Sequence, residues 1–179
     1  MSSIILNGDT SGSITVSAPS VAGTNTVTLP QASGQLMVSG NMPAFSAYAG
    51  SSTTITNNSN TKVLFNTVSF DTNSNYSTAN SRFQPTVAGY YYITAQANLS
   101  ITGNANPYLY KNGSAYIYGP VCVGWSGISA TTANITAFLY LNGSTDYVEF
   151  YVYQASGGSI TTTTGANYTY FAGSMVRAA

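Results

Sequence analysis

An all-β fold, a jelly-roll β-sandwich with an extended β arm at its N-terminal end, is what this sequence predicts, and three observations carry the prediction. Apolar residues recur at every second position over long stretches. Asn-Gly pairs stand between alternating segments. No window repeats its apolar residues at a helical spacing. Strands with one apolar face each can bury those faces only against a second sheet.

The longest alternating run follows Gly89 and places Tyr91, Ile93, Ala95, Ala97, Leu99 and Ile101 on one face. Tyr92, Thr94, Gln96, Asn98 and Ser100 fall on the other. It predicts one long strand over about 90–101. Ala44–Tyr48 and Lys62–Phe70 read as earlier strands, separated by the polar loop 51–60. Asn112-Gly113 predicts a tight hairpin joining Tyr108–Lys111 to Ala115–Tyr118, because such turns need positive φ. Asn142-Gly143 predicts a second hairpin, joining Ala133–Leu141 to Tyr147–Tyr153. Residues 121–132, rich in Gly and Ser around Trp125, read as a surface loop, and Tyr168–Val176 as the final strand.

Residues 1–40 form a separate, low-complexity region ahead of a head at 41–179. Ile14, Val16, Val27, Leu29, Leu36 and Val38 alternate with small polar residues, too regularly for a linker. Strands this short cannot bury a core alone. They predict an arm that pairs with another copy or a partner.

Only 4% of the 179 residues are charged, four Lys/Arg against four Asp/Glu; usual usage is about 25%. Four cations cannot build a nucleic-acid footprint. The 44% hydrophobic content, with 15 tyrosines, excludes disorder from low charge alone. The exterior is therefore neutral, made of Ser, Thr, Asn, Gln and Gly. The start of the chain has no basic region and only three consecutive aliphatics, so neither a signal peptide nor a membrane span is expected. Cys122 is single, which excludes an intrachain disulfide and suits a small buried hydrophobe.

Catalytic chemistry finds little to work with. There is no histidine, and the four carboxylates are scattered. Asp146 and Glu149 stand three apart on a strand, hence on opposite faces, which disqualifies them as a glycosidase pair. Ser59-x-x-Lys62 lacks the helix start and companions of a nucleophile motif. Asp71, with Asn73 and Asn75, fits Asx-turn chemistry better than a calcium site. Neither catalysis, metal nor cofactor is expected.

The stretch from Phe65 to Ile93 also carries a family pattern. Phe65, Asp71, Tyr76, Phe83, Gly89, Tyr91 and Ile93 follow at spacings similar to the signature of the globular head of complement component one q and its tumour-necrosis-factor-like relatives. Leu109-Tyr110-Lys111-Asn112-Gly113 resembles that family's Leu-x-Lys-Asn-Gly hairpin. Tyr170-Phe171-Ala172-Gly173-Ser174-Met175 resembles its closing Phe-Ser-Gly strand. The family usually has an aromatic residue where Ala95 stands, so a thinner core is expected there. The resemblance implies a jelly roll assembled as a compact trimer and used for recognition. Outward aromatics on the long strand and on 133–141 point the same way, since a monomer exposing them would aggregate. Tyr92, Gln96, Asn98, Phe138 and Tyr140 are the expected trimer interface.

Gly12–Pro30 looks like leader segments common in structural proteins of tailed bacteriophages. With the neutral exterior, this favours a homotrimeric virion surface protein, made in the host cytoplasm: a capsid decoration, or cement, protein. Its partner is then the major capsid protein or a tail protein, gripped by the arm residues named above. The alternative is the distal head of a tail fibre or spike. Forty extended residues reach at most about 130 Å, too little for a shaft, which favours decoration. Host-surface carbohydrate is a further candidate partner, through Trp125 and Tyr118 among the loops.

Overall fold

In this computed structural model, residues 3–21, 23–28, 31, 37–125 and 130–179 are described. They fall into two compact units, 1–34 and 35–179. In the first, Ser3–Asn7 (β1) pairs antiparallel with Ser13–Ser17 (β2), placing Ile4 opposite Val16 and Leu6 opposite Ile14. Opposed residues share a face, so these four aliphatics form one apolar face, and all four are exposed. The turn closes with the Gly8 amide donating to Gly12 O, and Gly12 has the positive φ of +79° that glycine permits. β1 went unforeseen in the sequence because Ile4, Ile5 and Leu6 run together instead of alternating.

The second unit opens with a 3-10 turn, Ser39–Asn41, and continues as Ala44–Tyr48 (β3), Thr54–Ile55 (β4), Thr61–Lys62 (β5), Thr67–Asp71 (β6), Tyr76–Ser77 (β7), Arg82–Phe83 (β8) and Ala88–Leu99 (β9). Gly103–Lys111 (β10), Ser114–Tyr118 (β11), Cys122–Gly124 (β12), Thr131–Asn142 (β13), Val148–Ala155 (β14), Ile160–Thr161 (β15) and Tyr170–Ala178 (β16) complete it. One sheet has the order β13-β9-β16-β3-β6. The other has the order β11-β10-β14-β8-β7, with β12 on β10 and β5 on β14, and β4 pairs with β15 apart from both. The fold is the all-β jelly roll that the sequence predicts.

The long strand is two-faced, as its alternation requires. Tyr91, Ile93, Ala95, Ala97 and Leu99 are fully buried, while Tyr92 is exposed. Across the sandwich, Phe45 stacks on Phe83 with centroids 4.3 Å apart, and within its own sheet it meets Phe171 edge-on at 5.0 Å. Ala95 does not thin this core. Phe171 lies directly opposite it in the register, and Gly173 lies opposite Ile93. A Cβ at Gly173 would stand 2.5 Å from Ile93 Cδ1. Large faces small in both pairs, so the Phe171 ring takes the volume that an aromatic residue at 95 would need.

Four sequence expectations need correction. Lys62–Phe70 is not one strand: β5 and β6 belong to opposite sheets. Alternation persists across the gap because Val63 and Phe65 still enter the core. The Phe65 and Leu64 amides donate to the Ser81 and Thr53 hydroxyls, while Val63 donates to Phe150 O. Residues 121–132 are not wholly loop, since β12 pairs with the start of β10. Asn142-Gly143 does not make a hairpin either. Asn112 and Gly113 both have positive φ and do close the predicted one, whereas at the second site only Gly143 does. Asn142 Oδ1 instead accepts from the amides of Ser144, Thr145 and Asp146, and the chain passes from one sheet to the other. Cys122 is half-buried at the edge of the core rather than within it, and burial pushes its thiol up.

Asp146 fixes this crossing. It accepts from the Asn142 amide and from Asn112 Nδ2, and pairs with Lys111 at 2.9 Å. Burial opposes its charge, but these donors outweigh burial and hold the carboxyl below its usual range. A carboxyl held low in the folded state adds stability that is complete above its unfolded value, about 3.9, and is lost as pH falls through the folded one. Asp146→Asn should therefore lower the urea midpoint at neutral pH, and its gap from the parent should narrow as the pH falls below the unfolded value of about 3.9. Phe171→Ala should cost about 3–5 kcal/mol in the same urea titration.

Candidate functional site

Each sheet turns one face to the core and one outward, and both outward faces are aromatic. On the first, β13 and β9 pair Phe138 with Tyr92 and Tyr140 with Tyr90. Their rings touch, at 5.0 Å for Tyr92–Phe138 and 5.6 Å for Tyr90–Tyr140. Phe138 is 65% exposed, on the outward face of its sheet. The expected interface residues thus divide. Tyr92, Phe138 and Tyr140 come together, joined by Tyr90, whose place two residues before Tyr92 could have announced it. Gln96 and Asn98 lie on the same face but are already engaged: Gln96 donates to Tyr168 O, and Asn98 bonds the Thr132 and Thr163 hydroxyls.

The outward face of the other sheet is different in kind. Residues Tyr147, Glu149, Tyr151 and Tyr153 alternate outward along and before β14, beside Asn106, Tyr108 and Tyr110 of β10. The register sets Tyr118, Tyr108, Tyr151 and Lys62 in one row across four strands. Tyr110 stacks on Tyr151 with centroids 3.9 Å apart, and Tyr118 meets Tyr108 edge-on at 5.0 Å. Asn60 donates to the Tyr110 hydroxyl, and the Tyr153 hydroxyl bonds the Asn58 amide oxygen.

Beneath these rings lies a buried carboxylate. Glu149 Oε1 accepts from Lys62 Nζ at 3.0 Å and from Arg82 Nε and Nη2, while Oε2 accepts from the Tyr151 hydroxyl. The Arg82 guanidinium also lies 3.8 Å over the Tyr147 ring. Burial, with the Glu149 charge beside it, pushes the Tyr151 phenol up to about 12, so it stays a donor at neutral pH. Burial likewise raises Tyr108. Glu149 and Asp146 are each bonded to cations, an arrangement for holding strands together. Asp71 accepts from the Asn73 and Tyr76 amides, as the Asx-turn reading expects.

The remaining candidates are dispersed. Ile14 and Val16 join Ile4 and Leu6 on the hairpin of the first unit, whereas Val27, 88% exposed, lies outside any strand. Val38 falls in the second unit, and Leu29 and Leu36 lie outside the described residues. Trp125 is exposed just after β12, at the Gly103 end of β10, while Tyr118 packs at Tyr108. About 17 Å of strand separates the two, so they do not form one site.

Comparison with known proteins agrees with this geometry. The globular domain of zebrafish complement 1qA matches with a TM-score of 0.56 and 18% identity, over 76% of this chain and 98% of that one. Murine APRIL matches at 0.57 and 9% identity, over 75% and 99%. The PRD1 vertex protein P5 matches at 0.54 and 16% identity, over 75% and 97%. These identities establish the fold alone. No curated protein matches the sequence. C1q/TNF-like domains typically form homotrimers and are generally non-enzymatic. The C1q domain model matches residues 44–176, most of the chain, and the chain therefore belongs to the C1q domain family.

Proposed function

We propose that this chain is a non-enzymatic homotrimeric surface protein of a tailed-phage virion, a capsid decoration protein attached by its N-terminal arm. The observation that carries the proposal is the presence of two exposed apolar surfaces, one in each unit. The β1–β2 hairpin shows Ile4, Leu6, Ile14 and Val16 to solvent, and the β9–β13 face shows Tyr90, Tyr92, Phe138 and Tyr140.

The second surface suits closure on itself. It is flat and aromatic, and it lies on the rigid centre and edge of a sheet, so a three-fold axis buries it three times at once. The hairpin, a separate unit, is left to bind something else. Three hairpins on one trimer gain avidity from individually weak contacts. A capsid three-fold presents three matching sites. The likeness in fold to a PRD1 vertex protein is in keeping with a place on a particle surface. A tail-fibre head remains the alternative, and the position of the protein on the particle separates the two.

Two outcomes follow. Phe138→Lys should convert the trimer to a folded monomer, read as mass by sedimentation velocity with far-ultraviolet circular dichroism unchanged; a trimer that persists places the interface elsewhere. Removal of residues 1–34 should leave a soluble trimer that no longer decorates capsids. Cryo-electron microscopy of particles incubated with each form checks this: density over the capsid three-folds with the full chain alone supports the reading. Decoration by the truncated form overturns the arm as anchor, and density only at the tail overturns decoration.

A further inference from the structure

We propose that the outward face of the seven-stranded sheet is a binding platform for a neutral oligosaccharide, built by Tyr108, Tyr110, Tyr118, Tyr151 and Tyr153. The inference deepens the reading above, because a trimer closed through the opposite sheet leaves this face turned to solvent on every subunit.

The chemistry of the face selects the ligand. Sugar rings offer an apolar face of C–H groups and a rim of hydroxyls, and they are bound by aromatic rings flanked by fixed hydrogen-bonding groups. Here the rings come from paired strands rather than loops, so their positions are set by the register. The row Tyr118–Tyr108–Tyr151–Lys62 crosses four strands, about 14 Å at the usual strand spacing. That is the length of a short oligosaccharide. Asn58 and Asn60, already bonded to the Tyr153 and Tyr110 hydroxyls, supply amides along one side.

The charges on this face are already engaged with one another. Lys62 and Arg82 both converge on Glu149 Oε1, and the carboxylate itself is buried. An acidic sugar would have to compete with Glu149 for cations already bonded to it, which the acidic members of the array below test. At the Arg82 end it runs into a polar recess of about 260 Å³, lined by Ser74, Asn75, Ser77, Asn80 and Gln84, with room for a branching sugar. Arg82 belongs to both, lining the recess and stacking on Tyr147.

The test is an array of neutral and acidic oligosaccharides probed with the intact full-length trimer, its mass checked in parallel, followed by titration of the best neutral binder. Tyr118→Ser and Tyr153→Ser should each weaken binding by roughly ten-fold, as removal of an aromatic contact does. Both residues lie at the margin of the stack, so the fold should survive. Tyr151→Phe, which keeps the ring, should retain most of the affinity. Trp125→Ala, at the other end of β10, should leave it unchanged. Loss in Trp125→Ala with retention in the Tyr variants overturns the platform in favour of the loops. Binding confined to acidic sugars and abolished by Lys62→Ala overturns the neutral ligand, and no sugar bound by an intact trimer overturns the site while leaving the particle-surface reading intact.

Discussion

The fit of Phe171 over Ala95 is the contact on which the rest of the sandwich depends. β16 lies between β9 and β3, so whatever it places toward the core touches both neighbours and the facing sheet. Phe171 does this with a ring that reaches Phe45, Phe65 and Tyr76. Two positions on, Gly173 withdraws its side chain altogether and lets Ile93 and Phe45 close over the gap. An interior packed like a crystal tolerates such pairs only when the volumes add up. The outward faces inherit their precision from this arrangement, because strand register fixes both sides of a strand at once.

Charge is the second constraint. With eight charged residues in the chain, each one counts. Lys62, Arg82 and Lys111 are tied to Glu149 and Asp146, and the ties join elements distant in sequence: β5 and β8 to β14, and β10 to the crossing before β14. Breaking a buried pair by removing one partner is expensive, whereas forming it adds little net stability. These residues therefore specify how the seven-stranded sheet is assembled more than how tightly it holds. The surface left over is neutral, which suits contacts made by shape, ring faces and hydroxyls.

The two outward faces show how one residue type serves opposite ends. On β9 and β13 the aromatics pair across strands and include a phenylalanine, with the Lys111 ammonium over the Tyr140 ring. On β10 and β14 the tyrosines are tethered through their hydroxyls to Asn58, Asn60 and Glu149. The first arrangement is incomplete until covered by a like surface. The second is a finished, wettable surface, with hydroxyl tips positioned before any ligand arrives.

Local pattern determined a great deal. Period-two alternation located β3, β9, β13, β14, β16 and the Tyr108–Lys111 half of β10, because a half-buried strand must show it. Asn112-Gly113 determined a hairpin, because both residues accept positive φ. The spacing from Phe65 to Ile93 was enough to point to the family. Tertiary structure decided the rest. Only the pairing of β13 with β9 and of β14 with β10 reveals that Asn142-Gly143 joins two sheets instead of two neighbours. Two-residue strands such as β4, β7 and β15 carry no readable period. The tyrosines of the β10–β14 face lie up to 45 residues apart, from Tyr108 to Tyr153, and nothing local links them. Alternation says which residues share a strand face, but only the register, set by the core on the other side, says which of those faces lie side by side.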